Sequence, residues 1–365
     1  MRRALALALW VSGCSAGSSA LPLGSGAADC ASCHPTQADA FSRSAHARSE
    51  ASPVLRAMLP EVEASWGAGA RARCESCHAP QHGSDMAVTC VSCHAAVGNH
   101  GARDGALVVD LDVPLAGPFA DADAEGAHGT RVGELLASSE LCATCHELTG
   151  PALFVETTAT EHARAVRELA VPRCQECHLP LVDDGPIAAA SARARPRRDH
   201  RFVGLTPPLD PAGLDAYRAE AVALLDDALE LEASLEGRAL RVSLTNVGAG
   251  HAVPTGVAAL RDIWVEVALL DDSGSGDAPR RIIELGDRPL ADDRAVALPT
   301  EADRIEHRAL GAGETRSIEL ELPSDARAAV ITLRARPYRA DLLARLGVPD
   351  TVGTLEVVAR TIALR

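Results

Sequence analysis

One five-residue pattern, repeated five times, constrains this chain more than any other feature. Ten of its eleven cysteines fall in CASCH (Cys30, Cys33, His34), CESCH (Cys74, Cys77, His78), CVSCH (Cys90, Cys93, His94), CATCH (Cys142, Cys145, His146) and CQECH (Cys174, Cys177, His178). C-x-x-C-H is the attachment signature of c-type haem. Its two thiols add to the vinyl groups of one porphyrin, and the adjacent histidine is held under the iron as proximal ligand. The residue frequencies of the chain give about 0.01 such patterns by chance, so five copies predict five haem c groups. Structural zinc also uses paired C-x-x-C, but it does not require a histidine after the second cysteine every time. A redox C-x-x-C would occur once, and a disulfide framework would not repeat one spacing.

Composition agrees with an interior that is not all protein. The 365 residues are 47% hydrophobic, yet they include only three tryptophans, two tyrosines and four phenylalanines. With five motifs crowded between residues 30 and 178, the haems themselves are expected to form the core there. The formal charge of −15, with no lysine and no basic run, argues against nucleic acid and for redox protein partners with basic docking surfaces.

Haem attachment takes place outside the bacterial cytoplasm, so an export signal is expected. Arg2 and Arg3 precede a short apolar stretch over 4–11, too short to span a bilayer but suited to a signal peptide. It leads to V-S-G-C, which resembles a lipobox whose Cys14 is acylated. Residues 1–13 then read as a lipoprotein signal peptide and 14–29 as a Ser/Gly/Ala tether reaching roughly 20 Å. The chain is expected to be exported and held by lipid on the periplasmic side or at the cell surface, anchored to the membrane without crossing it.

Residues 30–203 read as a mainly helical and irregular haem-packed domain, with helices over 36–50, 53–66, 132–141 and 156–170. Residues 204–365 read as a helix over 211–225 followed by an antiparallel β-sandwich of the immunoglobulin-like kind. A hairpin is expected over 228–246, with strands over 263–270, 281–285, 317–322, 329–335 and 355–362, from their alternating apolar residues and Gly/Pro/Asp turns.

Eight of the thirteen histidines lie outside the motifs, and neutral imidazole is the expected second ligand at most of the irons. His46 follows the first motif on a predicted helix, His128 precedes the fourth, and His200 closes the haem region. His251 lies in N-V-G-A-G-H-A-V-P-T-G, where the glycines are expected to admit a bulky cofactor. His162, on the 156–170 helix, is the fifth candidate, with His82 and His100 as alternatives. His307 reads as surface.

The succession CxxCH, F-S-R-S-A-H-A, CESCHAP, CVSCH, LCATCHE, RCQECHLP and D-H-R-F-V-G resembles the bacterial multihaem cytochrome c superfamily. That group includes hydroxylamine oxidoreductase and the tetrahaem cytochrome that accepts its electrons. The resemblance covers about residues 30–205, and the His251 loop is similar to one in a β-domain that follows the haems in many members. It implies closely stacked, mostly bis-histidine haems, with His46, His128, His200 and His251 as distal ligands. Electron relay between periplasmic or membrane redox partners is the expected function. The alternative is a haem enzyme of nitrogen or sulfur oxyanion chemistry, which requires one five-coordinate haem.

Overall fold

A computed structural model describes residues 30–80, 88–122, 124, 127–150, 153–191 and 193–364. The expected signal peptide, Cys14, the tether and His82 lie outside the described residues. Among the described residues no helix is long and apolar enough to cross a membrane.

The first part is built of short helices joined by turns and two-stranded sheets. Helix α1 (Pro35–Ser42) starts on a proline whose fixed φ suits the first helical position. It ends sooner than expected, because Ser44 Oγ accepts the Ala47 N–H at 3.2 Å and diverts the chain into a separate 3-10 turn, His46–Arg48. Helix α2 (Pro53–Trp66) matches the expected range. Ser52 caps it by accepting the Leu55 N–H, and Val54, Met58, Leu59 and Val62 form its buried face. Helix α3 (Ala68–His78) has no comparable apolar stripe and was not foreseen.

Four further helices follow: α4 (Cys90–His94), α5 (Ser139–Ala143), α6 (Thr158–Leu169) and α7 (Cys174–His178). Of the helix expected over 132–141 only the last three residues are helical, as the start of α5. Val132 instead ends a strand, Thr130–Val132, that runs parallel to Leu115–Gly117. Gly133 follows so close to that pair that a Cβ there would stand 2.7 Å from Ala116 Cβ. Strands β1 (Leu181–Pro186) and β2 (Ala194–Arg198) form an antiparallel pair after the fifth motif.

The second part opens with α8 (Leu214–Ala228), whose Tyr217, Ala221, Leu225 and Ala228 are buried at helical spacing. Strands β3 (Leu229–Glu236) and β4 (Ala239–Asn246) form the expected hairpin, and β4 also pairs with β7 (Thr315–Glu321). A four-stranded antiparallel sheet has the order β6 (Arg280–Leu285), β5 (Asp262–Leu270), β8 (Ala328–Arg336), β9 (Leu355–Ala363). One core joins the two sheets: Leu240, Val242 and Leu244 from β4 belong to the same buried cluster as Ile263, Val265, Ile331 and Leu333. Their alternation in sequence is the period-2 pattern of strands buried on one face.

The two parts pack on each other. Val54 and Met58 of α2 meet Leu343 of helix α9 (Ala340–Leu346), and Arg345 pairs with Glu61 at 3.4 Å and Glu301 at 2.7 Å. Leu333 is fully buried at the centre of the second part. Leu333→Ala is therefore expected to destabilise that part by about 2–5 kcal/mol, read as an earlier midpoint in chemical denaturation followed by far-UV circular dichroism.

Candidate functional site

Each CxxCH is a single helical turn. The His34 N–H donates to the Cys30 carbonyl at 2.8 Å and the His146 N–H to that of Cys142 at 2.9 Å. The other three motifs are α4, α7 and the end of α3. Helical spacing i, i+3, i+4 puts both thiols and the imidazole on one face. The cysteines and histidines of all five motifs face a common cavity of about 2320 Å³. His46, His128, His162, His200 and His251 line it too, as do all four phenylalanines.

Inside the cavity the histidines come together in pairs. Ring centroids are 6.2 Å apart for His34 and His128, 6.1 Å for His46 and His146, 6.4 Å for His94 and His200, and 6.2 Å for His178 and His251. Each pair joins one motif histidine to a histidine outside the motifs. Among the described residues no histidine ring pairs in this way with His78. His162 stands apart from the pairs: its buried ring has Nε2 2.8 Å from the Pro172 carbonyl, so the nitrogen most suited to a metal is already engaged. His100 is exposed and does not line the cavity, and His307 is an exposed ring beside Asp287.

A second contact orients the paired rings. Nδ1 of His34, His94 and His178 lies 2.6, 2.7 and 3.0 Å from the carbonyls of Ile187, Ala116 and Val203. On the partner rings, His128, His200 and His251 use the carbonyls of Gly129, Arg198 and Ala252 at 3.0, 2.9 and 2.8 Å. A proton held on Nδ1 leaves the Nε2 lone pair free for a metal. Burial pushes His78, His94, His200 and His251 below the usual histidine range and His46 down to about 3, so these rings stay neutral. Burial acts in the same direction on His146, but the nearby Glu156 carboxylate outweighs it and lifts this ring to about 9.

The motifs also touch one another. Thiols of different motifs lie close enough to act on one another: Cys30 on Cys90, Cys77 on Cys145, Cys142 on Cys174, and Cys93 on both Cys142 and Cys145. The fourth motif is thus the junction of the set. Phe202, held at φ +50°, fills the space between pairs, with its ring 4.7 Å from His46 and 6.2 Å from His200.

The second part supplies His251, and the loop that carries it is firmly tied. Asn246, at the end of β4, donates through Nδ2 to the carbonyls of His251 at 2.7 Å and Leu310 at 3.0 Å, and accepts the Ala249 N–H. From the first part, Glu161 accepts the Ala252 N–H at 3.0 Å and the Thr255 hydroxyl at 2.7 Å. Gly248 and Gly250 line the cavity just before His251, and chain packing also requires them. A Cβ on Gly248 would lie 2.5 Å from the Asp227 carbonyl, and Gly250 has φ +68°.

Sequence reasoning missed Asn246, Glu156 and Glu161, for which no spacing rule gives a signal. It also passed over the arginines of S-A-R-A-R-P-R-R-D, although their clustering was visible. Of these, Arg198 donates to the Gln175 and Leu179 carbonyls at the end of α7, and Arg195 pairs with Asp121 while lying 4.5 Å over the Phe119 ring.

Among the described residues no three His, Cys, Asp or Glu side chains converge as ligands for a bare ion. The repeated unit is instead a pair of imidazoles with centroids 6.1–6.4 Å apart beside two thiols. No family model matches the chain, and no curated protein matches it. Among solved structures it is similar to a penta-heme cytochrome c552 from Thermochromatium tepidum, at 18% identity and TM-score 0.68, covering 92% of this chain and 97% of that one. The two share a fold. A hypothetical protein from Pyrococcus horikoshii OT3 (8% identity) and an oxidised superoxide reductase (11%) each align with 38% of this chain, and with 86% and 88% of their own, at TM-score 0.19, which establishes no likeness.

Asn246 is only 1% exposed. Asn246→Ala removes the side-chain donor from both carbonyls, of which that of Leu310 keeps the Val253 N–H, and is expected to cost about 1–3 kcal/mol in chemical denaturation and to speed amide hydrogen exchange in the 247–256 loop.

Proposed function

We propose that this chain is a multihaem c-type cytochrome of the superfamily it resembles, carrying five covalent haems and relaying single electrons between redox protein partners. The observation that carries this reading is the set of four facing histidine pairs. Metal–imidazole bonds of about 2.0 Å put the centroids of two trans rings about 6 Å apart, which is the separation found at every pair. The cavity fits as well: pockets for one drug-sized ligand hold roughly 300–1,000 Å³, and this one holds about 2320 Å³.

In this reading Cys30 and Cys33, Cys74 and Cys77, Cys90 and Cys93, Cys142 and Cys145, and Cys174 and Cys177 each hold one porphyrin. His34, His78, His94, His146 and His178 are the proximal ligands, with His128 opposite His34, His200 opposite His94, His46 opposite His146 and His251 opposite His178. Haem iron supplies reversible one-electron chemistry, and the protein tunes it through ligation, burial and hydrogen bonds to the ligands. The thiol contacts support an order in which the first haem neighbours the third, and the fourth neighbours the second, third and fifth. Export, acylation of Cys14 and a periplasmic or cell-surface position belong to the same proposal. So does an immunoglobulin-like sandwich for the second part, whose sheets β7-β4-β3 and β6-β5-β8-β9 divide seven strands three and four.

A second reading, a haem enzyme with one open iron, is favoured by one observation: no described histidine faces His78. Met58 is buried in the same cavity on α2, which packs against the helix that carries His78. A thioether from this residue would close that iron.

The test is expression with the cytochrome c maturation machinery, followed by pyridine haemochrome assay, intact mass and low-temperature electron paramagnetic resonance (EPR). Five haems per chain and exclusively low-spin signals support the relay. A high-spin signal that responds to added cyanide moves the assignment to the enzyme, and a chain that takes up zinc in place of haem overturns both. His200→Ala is expected to convert one low-spin signal to high-spin while all five haems remain attached.

A further inference from the structure

Six of the eight paired imidazoles have Nδ1 against a backbone carbonyl, and the exceptions are the two rings of a single pair. On one side His146 Nδ1 lies 2.9 Å from Glu156 Oε1, a carboxylate. On the other, His46 Nδ1 is buried with no hydrogen-bond partner. The local fold builds the carboxylate contact. Glu156 ends the short strand Val155–Glu156, which pairs antiparallel with Leu148–Thr149 just after CATCH, with Glu156 opposite Leu148. The Ala159 N–H donates to the His146 carbonyl at 3.0 Å, and Glu147 accepts the Thr160 N–H at 2.9 Å, so the chain on both sides of the motif is clamped. The Thr158 hydroxyl donates to the same Glu156 oxygen at 3.2 Å and accepts the Gly256 N–H at 3.1 Å.

We propose that Glu156 is a positioning residue that acts through His146 to set the fourth haem site apart from the others in reduction potential. The inference rests on the cytochrome reading above. A hydrogen bond to a carboxylate is about twice as strong as one to a neutral acceptor. By drawing the Nδ1 proton toward itself, Glu156 gives His146 histidinate character and makes Nε2 a stronger donor to ferric iron. Second-shell hydrogen bonding of this kind is one of the levers by which a protein sets haem potential. Its direction here is to stabilise the oxidised state. The carbonyl-bonded rings of the other pairs have no such push, and His46 has no acceptor that could counterbalance it. Because the fourth motif is the junction of the thiol contacts, the site held lowest is the one that adjoins most of the others.

Holo wild-type and E156Q proteins are compared by spectroelectrochemical redox titration once the haems of each have been counted. The expected result is five haems in both, with a single one-electron component displaced to more positive potential in E156Q and restored in E156D. E236Q removes an exposed carboxylate on β3 that does not line the cavity and is expected to leave every component in place. Superimposable titrations of five-haem wild type and E156Q overturn the inference, and so does an equal displacement of all components, which marks a general change of structure. A wild-type haem content other than five overturns instead the reading on which the inference rests. Should E156Q fail to load haem, the wild-type protein decides through near-infrared magnetic circular dichroism: one low-spin charge-transfer band displaced from the rest supports the inference, and coincident bands overturn it.

Discussion

Two imidazoles from distant parts of the chain must face each other across a gap of about 6 Å, and four times over the fold is arranged to keep that gap open. An apolar core would fill such a space, because burying side chains against one another is the main source of folding free energy. Here the rings are held back by hydrogen bonds to fixed backbone carbonyls on six of the eight, and by short helices that end on the motif histidines. Turns and small two-stranded sheets between and after the motifs provide five of those carbonyls, and the loop of the second part provides the sixth. Ala116, which receives His94, lies in the strand pair beside Gly133, and Ile187, which receives His34, directly follows β1. Secondary structure in this region makes sense less as packing layers than as brackets for ring nitrogens.

This division of labour explains which features were legible in the sequence. The seven strands of the two facing sheets stand within about two residues of their expected limits because one face is buried, and burial on one face leaves alternation in the sequence; the short strands Arg288–Ala291, Arg294–Ala295 and Arg304–Glu306 were not expected. Helix α2 was visible for the same reason at helical period. The region of the five motifs has no such regularity, since many of its side chains line the cavity instead of packing into a shared core. The helix expected over 36–50 breaks at a serine hydroxyl, and the one over 132–141 yields at its start to a strand that a close glycine contact permits. His46, His128, His200 and His251 could be picked out by their place relative to the motifs. His162 could not be judged in that way, because periodicity says that a ring is buried but not which nitrogen is already bonded. Glu156 was invisible: one glutamate among fifty acidic residues has no signature until the chain folds it under His146.

Electrostatics and shortage of aromatics are two sides of one design. The chain has few large rings, and all four phenylalanines line the cavity, with Phe202 held in a left-handed backbone conformation to reach between two histidine pairs. The surrounding arginines, several of them already paired with aspartates, give the cavity wall a positive character that the acidic chain lacks as a whole. In the proposed reading that wall is where the haem propionates find partners.

The His178 and His251 pair has a consequence for how the protein is made. The fifth motif belongs to the first part of the chain, whereas the ring opposite it hangs from a loop that Asn246 fixes only once β4 is formed. In the proposed reading, in which the chain is exported from its N-terminus, the fifth attachment site emerges well before residue 251. In the proposed reading the last porphyrin is therefore stitched on while one axial position is still vacant, and the β-sheet part closes it afterwards. Completion of the final coordination bond then reports that the C-terminal half has folded. Truncated or misfolded chains would betray themselves by an iron with a missing ligand, a built-in mark of incomplete biogenesis.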